Sequence, residues 1–350
     1  MTTQADLARM VGVSQVAVHR ALHDLPGVSD PLRTRIRKVA QEQRYRLRTS
    51  ARSMLNGRAN AISLLVGTES DTSALHNDLI RGIHDVLENR GQSLVINVAS
   101  DAQLNRDDYV PSLVGEARTD GIIVDYTHRI PPRLLTLIEQ YRIPAVYVNS
   151  KQARDAVYPD DFAAARDATC ALIALGHRRI TYVGPQPGDL DRHYSVTDRY
   201  RGYVAAMREH SLNPDDVTFR YAALASDTGA LIREIQALWT RPDRPTAVVC
   251  YSAPHQAVLT AVMAGLCIPR DLAIVTFGSQ AASIRVLTRE VSQLTLPTRA
   301  VGQAAARMLL DKVAHPDTPA DSVAIPFIPI QGDTCVPPVF LSNAFSSSVI

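Results

Sequence analysis

The chain has 350 residues, 46% of them hydrophobic, and 37 basic against 35 acidic side chains give a net charge of +2. That length allows two or three domains, and the composition supplies enough apolar material for a buried core, which excludes a disordered chain. No apolar run approaches the roughly 18 residues a bilayer span needs, and the polar residues 1–6 do not read as a secretory leader, so no membrane association is expected.

The overall balance hides an asymmetry. Residues 1–60 hold 11 bases and 4 acids, net +7, leaving 26 bases against 31 acids on the other 290 residues. A small basic head on a mildly acidic body suits neutralisation of nucleic-acid phosphates by the head. Cys170, Cys250, Cys267 and Cys335 lie far apart without a Cys-x-x-Cys pair, so they read as reduced core or strand residues. No metal and no cofactor is expected.

Residues 5–22 read as two short helices joined by a tight turn, the layout of a DNA-reading helix-turn-helix. Leu7, Ala8, Val13, Val18, Ala21 and Leu22 supply the apolar faces, Gly12 the turn, and Ser14 an N-cap for the second helix. Gln15, Val16, His19 and Arg20 are then left to face outward, where a recognition helix reaches base edges in a major groove. The competing reading is an ordinary helical hairpin, against which the basic charge weighs. Residues 30–44 carry Leu32, Ile36, Val39 and Ala40 at helical spacing and predict a third, bracing helix opened by Asp30-Pro31. Residues 49–56 are helix-compatible but short. An isolated helix of about eight residues is marginal in water, so this hinge orders only against a partner chain or DNA.

From residue 61 onward, apolar runs at 61–66, 94–98, 121–124, 145–148, 180–183, 247–250 and 273–277 alternate with helical patterns at 79–89, 162–175 and 199–210. This alternation predicts an α/β core with parallel sheets, and about 280 residues of it favours two lobes with a cleft between them. No Gly-x-Gly-x-x-Gly, phosphate-binding loop, nucleophile elbow or metal-spaced histidine pair follows the strands, so neither nucleotide binding nor catalysis is supported. His177 lies in the turn after a predicted helix and reads as a tie between that helix and a strand. The expected boundaries are a head at 1–46, a hinge at 47–60 and a core at 61–350, with a first lobe at about 61–160 and 292–320 and a second at about 161–291 and 321–340.

Over essentially its full length the chain resembles the LacI/GalR (lactose-repressor) family of bacterial regulators. The landmarks are Ala-Asp-Leu-Ala-Arg-Met-Val-Gly-Val-Ser at 5–14, Gly-Val-Ser at 27–29, Ala-Arg-Ser-Met at 51–54, Asp-Gly-Ile-Ile at 120–123 and Ile-Pro-Ala-Val at 143–146. Further landmarks are Leu-Gly-His-Arg-Arg-Ile at 175–180, Asp-Arg-Tyr-Arg-Gly-Tyr at 198–203 and Arg-Pro-Thr-Ala-Val at 244–248. The resemblance implies a cytoplasmic, nucleoid-associated homodimer, read as a repressor, whose heads bind a palindromic double-stranded operator. It also implies a periplasmic-binding-protein-like core that holds a small effector between its lobes. Ser14, Gln15, Val16, His19 and Arg20 fall at DNA-contacting positions, as do Ala51 and Met54 in the hinge. Met54 stands where such proteins place a leucine wedge in the minor groove. Two departures are Leu47, where a proline is common, and His19, where a serine is common.

In the core, Arg199 matches the arginine that clamps effector oxygens, which a guanidinium does with several donors in a fixed fork. A surface arginine at a helix start is the alternative. Asp125 and Asn149 end predicted strands, where ligands of open α/β folds bind, or else they are turn-forming Asx residues. Asp160 and Asp161 match a family Asp-Asn pair, or cap the helix that follows. Two landmarks are missing. An Asn-Asp pair is replaced by Cys250-Tyr251-Ser252-Ala253-Pro254, and a Gly-aromatic-Asp run by Thr276-Phe277-Gly278-Ser279, leaving Ser252 and Gly278 as candidate effector contacts. Loss of those acceptors favours a more anionic, smaller or more apolar effector, a modified sugar or other metabolite, over a neutral sugar. A core that binds no small effector is the remaining alternative. The tail at 339–350 carries no heptad that would make a coiled-coil tetramer.

Overall fold

The computed structural model describes residues 2–45, 58–68, 75–115, 118–126, 130–187, 193–219, 228–251, 254–278, 285–286, 289–316 and 318–338. Residues 1–59 and 60–350 form two separate compact units. Leu47, Ala51 and Met54 of the expected hinge, Ser252, and the 339–350 tail lie outside the described residues.

In the head, α1 (Gln4–Val11) opens on a reciprocal cap. The Thr3 hydroxyl accepts the Asp6 N–H, and the Asp6 carboxylate accepts the Thr3 N–H at 2.9 Å. Gly12 ends the helix at φ +78°, a left-handed turn that L side chains rarely adopt, and turns the chain into α2 (Gln15–Leu22). The third helix, α3 (Asp30–Glu42), has Ser29 as its N-cap with no side-chain cap bond, so the expected Asp30-Pro31 cap is instead its first turn. Leu7, Ala8, Val11, Val18, Ala21, Ile36 and Ala40 form the buried centre of these three helices.

The core strands and helices follow in the order β1 (Ala61–Gly67), α4 (Asn77–Glu88), β2 (Ser93–Ala99), α5 (Asp101–Leu104), α6 (Ser112–Gly115), β3 (Gly121–Asp125), α7 (Pro132–Gln140), β4 (Ala145–Val148) and β5 (Ala156–Pro159). They continue as α8 (Asp161–Ala174), β6 (Ile180–Pro185), α9 (Tyr194–Glu209), β7 (Asp215–Phe219), α10 (Thr228–Thr240), β8 (Ala247–Cys250), α11 (Pro254–Met263) and β9 (Ala273–Gly278). A short antiparallel pair, β10 (Arg285–Val286) and β11 (Arg289–Glu290), precedes β12 (Ser292–Thr295), α12 (Thr298–Ala314), β13 (Val323–Ile325) and β14 (Ile328–Gln331).

Two six-stranded sheets result. The first has the order β13-β5-β4-β3-β1-β2 and is parallel throughout; the second, β14-β12-β9-β8-β6-β7, is parallel except for β14. Buried strands such as Ala247–Cys250 are continuously apolar, and Ala61–Gly67 is so but for Ser63, because helices cover both sheet faces. The chain crosses between the sheets three times, after β5, after β12 and after β13. Two lobe boundaries expected from sequence therefore shift. Residues 292–295 belong to the second sheet and residues 323–325 to the first, because each strand is the last before a crossing. The cysteines also differ from expectation in part: Cys250 is buried in β8, whereas Cys170 lies on α8 and Cys267 is exposed outside the strands. Among the described residues no helix is long and apolar enough to cross a membrane.

Gly202 sets the approach of α9 to α8. A Cβ there would lie 2.3 Å from the Phe162 carbonyl oxygen, a backbone atom that cannot swing aside. Gly202→Ala should therefore cost about 1–3 kcal/mol, the range of an overpacked core, as a lower urea midpoint; an unchanged midpoint would show that the two helices have room to separate.

Candidate nucleic-acid interface and effector cleft

Ser14 caps α2 as the sequence predicts, its hydroxyl accepting the Ala17 N–H at 3.2 Å. Gln15, Val16 and Arg20 are exposed, Val16 at 58%. His19 departs from the expected outward set: it is half-buried, its ring tilted against that of His23 at 4.3 Å between centroids. Arg33, which the sequence reading passed over, holds the far end of α2. Its guanidinium donates to the carbonyls of Arg20 at 3.2 Å and Leu25 at 2.9 Å. Arg37 pairs with Asp24 at 2.5 Å in the same turn. Basic spacing in α3 was the available signal, but nothing local tells a phosphate ligand from a helix clasp.

In the core, Asp125 ends β3 and stands in register with Val148, so Asp125 and Asn149 sit side by side at one end of the first sheet. Asp125 is 2% exposed, and burial pushes its carboxyl up to about 7. Asn149 has φ +56° and therefore does take the turn role, with its N–H donating to the Val157 carbonyl at 3.2 Å. The two aspartates at the first crossing divide the roles that the sequence left open. The Asp160 carboxylate accepts the Ala163 N–H at 3.0 Å and caps α8, whereas Asp161 accepts from Arg199 Nε at 2.6 Å.

Arg199 is not at a helix start. It lies within α9 and is 7% exposed. Its Cζ is 4.6 Å from the ring centre of Tyr251, 4.3 Å from that of Phe277 and 5.7 Å from that of Phe327. Burial, the largest influence, works against its charge, but Asp161 together with Tyr251 and Tyr182 offsets it and holds the guanidinium pKa above its ordinary value. Gly278 follows Phe277, and the carboxamide of Gln293 lies against it, with Oε1 2.4 Å from where a Cβ would be.

A hydrogen-bond chain joins this site to the first lobe. His193 Nε2 lies 2.9 Å from the Asn149 carbonyl, which can only accept, so Nε2 carries the proton and Nδ1 accepts from the Ser195 hydroxyl at 2.7 Å. The Ser195 hydroxyl is in turn 2.9 Å from the Tyr251 hydroxyl. Lys151 bonds Asp198 at 2.7 Å beside it, and the Tyr194 hydroxyl donates to the Pro159 carbonyl at 3.1 Å. The arrangement thus brings Asn149, Asp161 and Arg199 into one constellation, with Asp125 and Gly278 at its two sheet ends. Sequence reasoning missed His193, Ser195, Tyr251 and Phe327 as members. His177, by contrast, ties Thr246 (2.9 Å) to the Val336 carbonyl (2.8 Å), and burial lowers its pKa.

Asp125 yields a pH prediction. Its folded pKa of about 7 lies above the ordinary 3.8, so between those values the folded chain holds a proton that the unfolded chain has lost. This group makes stability fall as pH rises from about 4 to about 7 and contributes no further change above that. Asp125→Asn should flatten the decline, by at most about 4 kcal/mol, in denaturant midpoints compared at acid and neutral pH. The same slope in both proteins would mean that the carboxyl titrates normally.

A family model of a periplasmic binding protein-like domain matches residues 169–335. The HTH-type transcriptional repressor PurR of Escherichia coli O139:H28 is 26% identical over 332 residues, covering 93% of this chain and 94% of that protein, and PurR of Klebsiella pneumoniae is 25% identical over the same span. The lac repressor dimer bound to operator and the anti-inducer ONPF superposes with a TM-score of 0.74 at 16% identity, covering 96% of this chain and 99% of that one. A LacI family transcriptional regulator from Mycobacterium smegmatis gives 0.60 at 24% identity, over 79% and 100%. The structural likenesses establish the fold as that of LacI-type regulators, and in sequence the chain is similar from end to end to the PurR repressors.

Proposed function

We propose that the chain is a DNA-binding transcriptional repressor that reads a two-fold symmetric operator as a homodimer and responds to a small effector held between the lobes of its core. The observation that carries the reading is the capped α2, with Gln15, Val16 and Arg20 exposed, in an N-terminal stretch whose residues 1–60 carry a net charge of +7. In this proposal Gln15 and Val16 select bases, and Arg20 contacts a base or phosphate. Ser14 sets the helix start against the backbone, and His19 contributes from the half-buried flank. Residues 47–60 form the hinge, with Ala51 and Met54 entering the minor groove.

In the core the effector lies among Asp125, Asn149, Asp161, Arg199, Ser252 and Gly278. The relatives support the division of labour: one structural neighbour is described as bound to operator and an anti-inducer, another as a CelR-cellobiose complex. Effector and DNA then bias one two-state equilibrium of lobe closure, each favouring the state it fits better.

Selection of random duplex DNA by the full chain at fixed moderate salt, with and without a metabolite extract, tests the reading. It should enrich a two-fold symmetric site. Arg20→Ala should weaken every selected site by about tenfold or more, whereas substitutions at Gln15 or Val16 should change which site is preferred, at about 1–3 kcal/mol per lost base contact. Equal binding of selected and scrambled DNA under both conditions would overturn it.

A further inference from the structure

Tyr182, in the middle of β6, is fully buried, yet among the described residues its hydroxyl has no hydrogen-bond partner. Its neighbour Tyr203, 5.5 Å away between ring centres, shows the usual arrangement. That hydroxyl lies 2.8 Å from the carbonyls of both Ile180 and Asp215 and accepts the Asp215 N–H at 2.9 Å. A buried hydroxyl left unsatisfied costs stability that phenylalanine, filling the same volume, would avoid. The oxygen at residue 182 therefore needs a reason outside packing.

Its surroundings supply one. Tyr182 and Tyr251 close on Gly184 from two sides, where a Cβ would lie 2.7 Å from Tyr182 Cε1 and 2.7 Å from Tyr251 Cβ. Tyr251 in turn covers Arg199, and Tyr182, Phe277, Tyr251 and Phe327 belong to one apolar cluster. Burial pushes the Tyr182 hydroxyl well above the ordinary phenol range, with Arg199 partly offsetting it, so the group stays protonated and able to donate. Among the described residues the one hydrogen bond of Arg199 runs from Nε to Asp161, which directs its remaining donors, on the two Nη atoms, elsewhere. Two parallel guanidinium N–H groups and one nearby phenol are a donor set. They match an acceptor with two coplanar oxygens.

We propose that Tyr182 is a specificity-determining residue of the effector site, and that its hydroxyl and the Nη edge of Arg199 together receive a small carboxylate. The proposal rests on the reading that the core binds an effector. A neutral sugar hydroxyl, which brings its own proton, makes poorer use of three donors than a carboxylate does.

The test uses the full chain and two sets of probes: pyruvate, lactate, malonate, succinate, glutarate and benzoate, and against them ribose, glucose and cellobiose. At least one acid should raise the melting temperature of the wild type, and none of the sugars should. For that acid, Tyr182→Phe and Arg199→Lys should each weaken binding by tenfold or more in titration calorimetry. Without any probe, Tyr182→Phe should melt no lower than the wild type, whereas Tyr203→Phe, which loses a satisfied hydroxyl, should melt lower. Stabilisation by a sugar and no acid, a flat response to every acid, retained acid affinity in Tyr182→Phe, or a lower melting temperature of ligand-free Tyr182→Phe would each overturn the proposal. Operator selection by the wild-type chain reports separately on the regulator reading.

Discussion

The core is organised around one buried positive charge. Moving a guanidinium out of water costs several kcal/mol, and an ion pair compensates for this only with good geometry and further favourable contacts. Arg199 has the short bond to Asp161 and three aromatic rings around it. Those partners come from different parts of the fold. Asp161 stands at the first crossing between sheets, Phe277 ends a central strand of the second sheet, Tyr251 follows β8, and Phe327 lies in the last crossing. Gly202, one helical turn beyond Arg199, is what lets α9 lie close enough to α8 for the bond to form. The site is therefore a property of the crossings as much as of either lobe.

This placement gives the charge leverage over the lobes. Tyr251 covers Arg199 on one side and reaches Ser195 on the other, and Ser195 leads through His193 to the Asn149 backbone of the first lobe. Lys151 and Asp198 bridge the same region with a second, half-exposed ion pair. A ligand that moved Tyr251 would disturb a hydrogen bond network that spans the two lobes, and in the proposed equilibrium of lobe closure it would need only a difference in affinity between the two arrangements to shift their populations. Shifts of a few kcal/mol suffice, which is the scale of two or three hydrogen bonds of this kind.

What the sequence disclosed follows from where periodic signals exist. Strands buried on both faces show as apolar runs, and β1, β3, β4, β6, β8 and β9 were all legible that way. β5, β7, β13 and β14 were not. Each has three to five residues, β7 opens on two aspartates and β14 contains a proline, so none makes a run long enough to stand out. In the site, Arg199 and the aspartates came from a motif match, whereas His193 and Ser195 stayed hidden because the polar first turn of α9 carries no apolar periodicity. The helix was therefore read as starting five residues late, at 199 instead of 194. Gln293 and Phe327 reach the cleft region only through strand pairing and a crossing, which are tertiary facts.

The head shows the same limit in charge. The 11 bases of residues 1–60 are not 11 phosphate contacts, because some of them hold the fold of the head. Arg33 is largely covered and clasps the end of α2, Arg37 pairs with Asp24, and Arg9 pairs with Asp6 within α1. Arg33 in particular cannot turn to a phosphate without releasing the carbonyls that hold the 20–25 turn, and that turn fixes the far end of α2. The salt dependence of binding counts only charges that displace counterions from DNA. Its slope for one head must therefore be smaller than the sequence total suggests, and an Arg33 substitution would act on DNA affinity through the position of α2, not through lost charge.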